Sequence, residues 1–122
     1  MKKTLIYISH PYGGLAENKT EVEAMMRVLC SQKRYTKNYC FVSPIHNFGH
    51  LYEAMPYKKG LKLCIDLLAN CKAMIAMGDW KNSEGCTAEM RYCRKHNIPV
   101  IEFKDFEDFL RKIMTENKEK EH

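Results

Sequence analysis

Five apolar residues, Ala73-Met74-Ile75-Ala76-Met77, run straight into the polar, glycine-bearing turn Gly78-Asp79-Trp80-Lys81-Asn82. The run is too short for a helix and reads as a buried strand. Helical spacing follows from about Ser83 to His96, and a second strand-like run follows from Pro99 to Phe103. Strand, turn, helix, strand is a βαβ unit, and two parallel strands require such a crossover. In open parallel sheets, ligands sit beyond the carboxyl ends of strands and beside helix N-termini. Asp79 to Glu89 therefore falls where a site is expected.

Glu89 is the residue singled out within it. At about 100° per residue, Cys86, Met90 and Cys93 form one apolar arc, and Glu89 lies within about 60° of Cys86. Arg91, Arg94 and Lys95 point elsewhere. A carboxylate beside a buried arc is costly unless it is paired or used. The plain alternative is an amphipathic docking helix whose Glu89 reaches solvent or a neighbouring cation.

The rest of the chain repeats the pattern. Thr4–Ser9 is the first strand, ending in the turn His10-Pro11-Tyr12-Gly13-Gly14. A helix is expected from about Asn18 to Gln32, with Val22, Met25, Met26, Leu29 and Cys30 inward. Strand, glycine turn and helix together could aim backbone N–H groups at an anion, but adjacent glycines serve equally well as an ordinary turn. Ser31–Asn38 is a polar connection, Tyr39–Ser43 the second strand, and Ile45–Lys59 an irregular stretch long enough to be a binding loop or lid. Gly60–Cys71 reads as a helix with Leu61, Cys64, Ile65 and Leu68 inward and Asp66 on the polar arc. Asp105–Met114 is a final amphipathic helix with Asp105 as N-cap. Four strands alternating with four helices predict an α/β domain, a Rossmann/flavodoxin-like three-layer fold with a mostly parallel sheet of four to five strands. One domain over residues 1–117 and a charged, frayed tail over 118–122 are expected.

Composition excludes some functions. No apolar run approaches membrane-spanning length, and Met1-Lys2-Lys3 leads into a strand rather than a secretory segment, so a cytoplasmic protein is expected. Six cysteines, at 30, 40, 64, 71, 86 and 93, include no Cys-x-x-Cys pair and read as small hydrophobes. Cys86, near a helix N-terminus, is the one whose thiol could have a lowered pKa. Net charge is +5, from 20 Lys and Arg against 15 Asp and Glu. The basic residues form no stripe interleaved with aromatics, so nucleic acid is not an expected partner. A modest positive field would suit a phosphorylated small molecule. His46 and His50 are four apart, but Gly49 between them argues against a helical metal pair, and no further ligands stand at suitable spacing.

Taken together, the first 103 residues resemble the nucleoside 2-deoxyribosyltransferase-like superfamily. Tyr7-Ile8-Ser9-His10-Pro11 stands where that family has Tyr-x-x-Gly-Pro, and Asp66 matches its aspartate before the third strand. Gly85-Cys86-Thr87-Ala88-Glu89 matches its Gly-x-x-x-Glu turn. The form Gly78-Asp79-Trp80…Ser83-Glu84-Gly85…Glu89 looks most like a small branch of unassigned activity. The resemblance implies an N-glycosidase or deoxyribosyltransferase of nucleosides or their monophosphates, without a cofactor and typically homodimeric. Glu89 would be the nucleophile, Tyr7 would hold its carboxylate, and Asp66 would protonate the departing base. The substrate would lie among His10, Pro11, Gly13, Gly14, Asp79, Trp80, Ser83 and Gly85. Two departures stand out: His10 replaces a glycine, and Ser83 stands where many transferases carry an aspartate. A binding module that holds a nucleotide or an ADP-ribose-like ligand without turning it over is the alternative.

Overall fold

The computed structural model describes residues 2–121, with the backbone alone for 117–121. Four strands, β1 (Thr4–Ser9), β2 (Tyr39–Val42), β3 (Ala73–Met77) and β4 (Val100–Phe103), form one sheet in the order β2-β1-β3-β4. Every pairing is parallel. The helices are α1 (Ala16–Cys30), α2 (Lys33–Thr36), α3 (Pro44–Phe48), α4 (Tyr57–Leu68), α5 (Glu84–Lys95) and α6 (Phe106–Glu121). This is the α/β three-layer architecture expected of the sequence. Among the described residues, no helix is long and apolar enough to cross a membrane.

Strand alternation divides the core in two. Ile6 and Ile8 of β1 and Ile75 and Met77 of β3 pack with Val22, Met25 and Leu29 of α1 and Phe109 and Ile113 of α6. Tyr7 of β1 and Met74 and Ala76 of β3 pack the opposite way, with Leu68 of α4 and Met90 and Cys93 of α5. The sheet order explains the division. From β1 the chain crosses to β2 on one side, then passes back over β1 to β3 and on to β4. Right-handed crossovers put α1 on one face and α4 and α5 on the other. The reversal lies between β1 and β3, and their carboxyl ends open a crevice there.

Several elements differ from expectation. Ser31–Asn38 contains the one-turn helix α2. Ile45–Lys59 is partly helical: Ser43 caps α3, its Oγ accepting from His46 N at 3.3 Å, and Pro44 occupies the first turn where its missing N–H costs nothing. A 3₁₀ turn over Gly49–Leu51 follows. Pro56 precedes α4, which starts at Tyr57 rather than Gly60. Asp105 does cap α6, accepting from Asp108 N at 2.8 Å, while Asp108 accepts from Lys104 N at 3.2 Å. That helix runs on through Glu121, where a tail was expected from Lys118, and His122 lies outside the described residues. Cys30 and Cys40 are exposed rather than core thiols, because they fall at the end of α1 and on the edge strand β2.

Phe109 is fully buried, stacked on Phe106 and edge-on to Phe103. Phe109→Ala is expected to lower the unfolding free energy by about 3–5 kcal/mol in urea denaturation. A loss under about 1 kcal/mol would mean that α6 does not close this face of the core.

Candidate active site

The crevice begins with β1. Tyr7 and Ser9 are two apart on a strand, so both side chains leave the sheet toward α4 and α5. Glu89, in the second turn of α5, meets them. The Tyr7 hydroxyl donates to Glu89 Oε2, and Ser9 Oγ donates to Oε1 at 2.8 Å. Tyr7 is inaccessible to solvent, and Glu89 is only 5% exposed. Neither reading of Glu89 as a solvated or cation-paired helix residue survives this geometry.

Burial pushes the Glu89 carboxyl up to about 7, while the Tyr7 and Ser9 hydrogen bonds pull the other way. Burial, then the nearby Glu89 charge, holds the Tyr7 phenol well above its ordinary value, so it remains a donor. The thiols of Cys64 and Cys86 flank the same carboxylate. Burial and then Glu89 raise both to about 11. The lowered pKa anticipated for Cys86 is therefore reversed, since burial outweighs the helix N-terminus.

Glu89 opens into a cavity of about 570 Å³, a size suited to a small molecule. His10, Pro11 and Gly13 form one wall, and Ser83, Gly85 and Cys86 line the α5 end. Gly13 and Gly14 have φ of 58° and 76°, a left-handed bend that glycine adopts without strain. Leu15 N donates to Tyr12 O across it at 3.0 Å, so the segment closes as a turn. Ser83 caps α5, its Oγ accepting from Cys86 N at 3.3 Å. Gly85 makes room for Tyr57, whose hydroxyl would stand 2.9 Å from an added Cβ.

Four proposed site residues lie elsewhere. Asp66 is exposed on the outer face of α4, 3.5 Å from Lys62 Nζ. Because α4 begins at Tyr57, Asp66 falls in its last turns, on the polar arc, and not in the cavity lining. Trp80 packs on the second core cluster, donates from Nε1 to Glu102 at 2.8 Å and lies beside Arg94. Asp79 accepts from Asn82 Nδ2 at 2.6 Å. These two residues build the turn before α5 rather than a wall of the cavity. Gly14 borders Tyr52, 3.2 Å from its ring were a Cβ present, and does not line the cavity.

Sequence reasoning also missed residues. Ser9 was detectable, because strand period places it on the face of Tyr7. Phe48, Tyr52 and Tyr57 belong to the stretch flagged as a binding loop, and all three line the cavity. His46 sits 2.8 Å from Ser43 Oγ through Nδ1 and 3.2 Å from Glu23 through Nε2. Among the described residues, no three His, Cys, Asp or Glu side chains are grouped to hold a metal ion.

Residues 4–102 match a family described as a domain of unknown function, DUF4406. The chain belongs to this family. The DUF4406 match takes in both strands of the switch point, the cavity wall and Glu89, and ends before α6. No curated protein matches the chain.

Glu89 makes stability depend on pH. An unfolded glutamate titrates near 4.5, and the folded one near 7. Between these values the folded chain keeps a proton that the unfolded chain has lost. The stability linked to this proton is complete below about pH 4.5 and falls by about 3 kcal/mol as pH rises to about 7. Glu89→Gln removes the titration. The variant should gain stability over the parent as pH rises through this window, read by urea denaturation at several pH values. Parallel curves would place Glu89 in solvent.

Proposed function

We propose that this protein cleaves the N-glycosidic bond of a nucleoside or its monophosphate, passing the sugar to water or to a second base. The observation that carries this reading is a buried carboxylate, held through both oxygens by Tyr7 and Ser9, at the wall of a cavity large enough for a nucleoside. The resemblance to the nucleoside 2-deoxyribosyltransferase-like superfamily, through Tyr7 and the Gly85-to-Glu89 turn, supports the same reading.

In its ionised form Glu89 attacks the anomeric carbon as the base leaves. A glycosyl ester forms and is then opened by water or an incoming base, a double displacement with retention. Tyr7 and Ser9 fix the carboxylate, so little reorganisation is needed when charge develops on the sugar. A carboxylate titrating near 7 is partly ionised at neutral pH and more basic than an ordinary one, which suits a nucleophile. Asp66, on the outer face of α4, takes no part. Six free cysteines fit a cytoplasmic setting, and a homodimer is the assembly that the resemblance implies.

A second reading is favoured by the position of Asp66. With no acid opposite the nucleophile, the cavity would hold a nucleotide or ADP-ribose-like ligand without breaking it. Calorimetry separates the two: saturable binding with the ligand recovered intact supports the module.

For the glycosidase reading, Glu89→Gln should reduce base release on the order of a thousandfold or more, while Asp66→Asn leaves it unchanged. The rate should rise with pH through about 7, as Glu89 ionises, and level off above it. Chromatography of released base against pH measures both. A rate that falls through pH 7 instead would make Glu89 an acid, not a nucleophile.

A further inference from the structure

The charge of the cavity runs against that of the chain. Lys and Arg outnumber Asp and Glu by 20 to 15. Yet among the described residues the lining holds two glutamates, Glu84 and Glu89, and no lysine or arginine. Tyr12, Phe48, Tyr52 and Tyr57 supply four aromatic rings to the same walls, with Tyr12 and Tyr52 edge-to-face at 5.3 Å. Two carboxylates and several aromatic faces attract a cation. A phosphate placed there would meet negative charge and no lysine or arginine.

The cavity is also short of acids. Glu89 is the nucleophile, and Asp66 is outside. His10 is turned away: Nδ1 stands 2.7 Å from Pro11 O, which can only accept, so this nitrogen donates. His10 Nε2 is buried 3.4 Å from Glu21 Oε1 without forming a hydrogen bond. Nδ1 is thus engaged, and Nε2, without a hydrogen-bond partner, is buried beside Glu21 and not open to a leaving base. The Tyr57 phenol and the Cys64 and Cys86 thiols are pushed above their ordinary values, which makes them weaker proton donors. Glu84 is exposed in the first turn of α5 and places its charge at the rim.

We propose that the preferred substrates are nucleosides whose base is itself a cation, a ring quaternised at the glycosidic nitrogen as in an N-ribosylpyridinium. This rests on the N-glycosidase reading and deepens it. Such a base leaves without a proton. A Glu89 oxygen bonds to C1′ as the C1′–N bond breaks, and the electron pair of that bond remains on the ring nitrogen, which becomes neutral. Water then attacks C1′ of the ester, the bond to Glu89 breaks with its pair returning to the carboxylate, and one proton passes to solvent. A neutral base would need a proton that this cavity is poorly equipped to give.

The test compares nicotinamide riboside with 2′-deoxyuridine, 2′-deoxyinosine and nicotinamide mononucleotide, following base release and proton release in weak buffer. We expect kcat/KM for nicotinamide riboside to exceed that for the neutral deoxynucleosides by about a hundredfold or more, the usual size of the acid catalysis they would lack. It should also exceed that for its 5′-phosphate, with one proton appearing per turnover. Glu84→Gln should raise KM for nicotinamide riboside severalfold, and by more than it raises KM for a neutral nucleoside. Neutral nucleosides or the 5′-phosphate cleaved as well or better would overturn this proposal while the N-glycosidase reading stands. No base released from any of the four would overturn that reading itself, and this inference with it.

Discussion

The contact between Glu89 and the pair Tyr7 and Ser9 joins the central strand β1 to helix α5. It puts an ionisable group in the interior, where a carboxylate is unfavourable unless hydrogen-bonded. Both oxygens have donors here, so the charged form is accessible, yet burial still lifts the carboxyl to about 7. The fold therefore keeps a group that reduces its stability at neutral pH.

The parallel sheet makes that contact possible. Because the chain reverses direction at β1, α1 and α5 lie on opposite faces, and the loops after β1 and β3 part above the switch point. The wall facing Glu89 comes from the segment between β2 and α4, where Ser43 and Pro44 start a short helix instead of a free loop. Gly85 lets the Tyr57 hydroxyl approach the first turn of α5, and the bend at Gly13 and Gly14 carries the chain around Tyr52. Backbone freedom at these few positions shapes the cavity as much as any side chain in it.

Charge is distributed unevenly for a related reason. Lysines and arginines occupy exposed faces of α1, α4, α5 and α6, where long side chains reach water, while the cavity is lined from turns and helix starts rich in aromatic and small residues. Net charge thus describes the outer surface and not the cavity, whose lining, among the described residues, holds two glutamates and no lysine or arginine.

Local pattern determined the four strands, their parallel arrangement and the burial of Glu89's arc, because hydrophobic period and turn chemistry act over a few residues. The resemblance singled out Tyr7 and Glu89, two side chains 82 positions apart, and the fold joins them by a hydrogen bond. Asp66 went the other way: its helical phase alone read it as a surface residue, and that reading held where the resemblance placed it in the site. Only the tertiary structure decided which polar residues share the cavity, since that depends on where α4 starts, how Trp80 and Asp79 fold into their turn, and which face of His10 meets Glu21. Those choices are made by contacts between distant segments, and no window along the chain contains them.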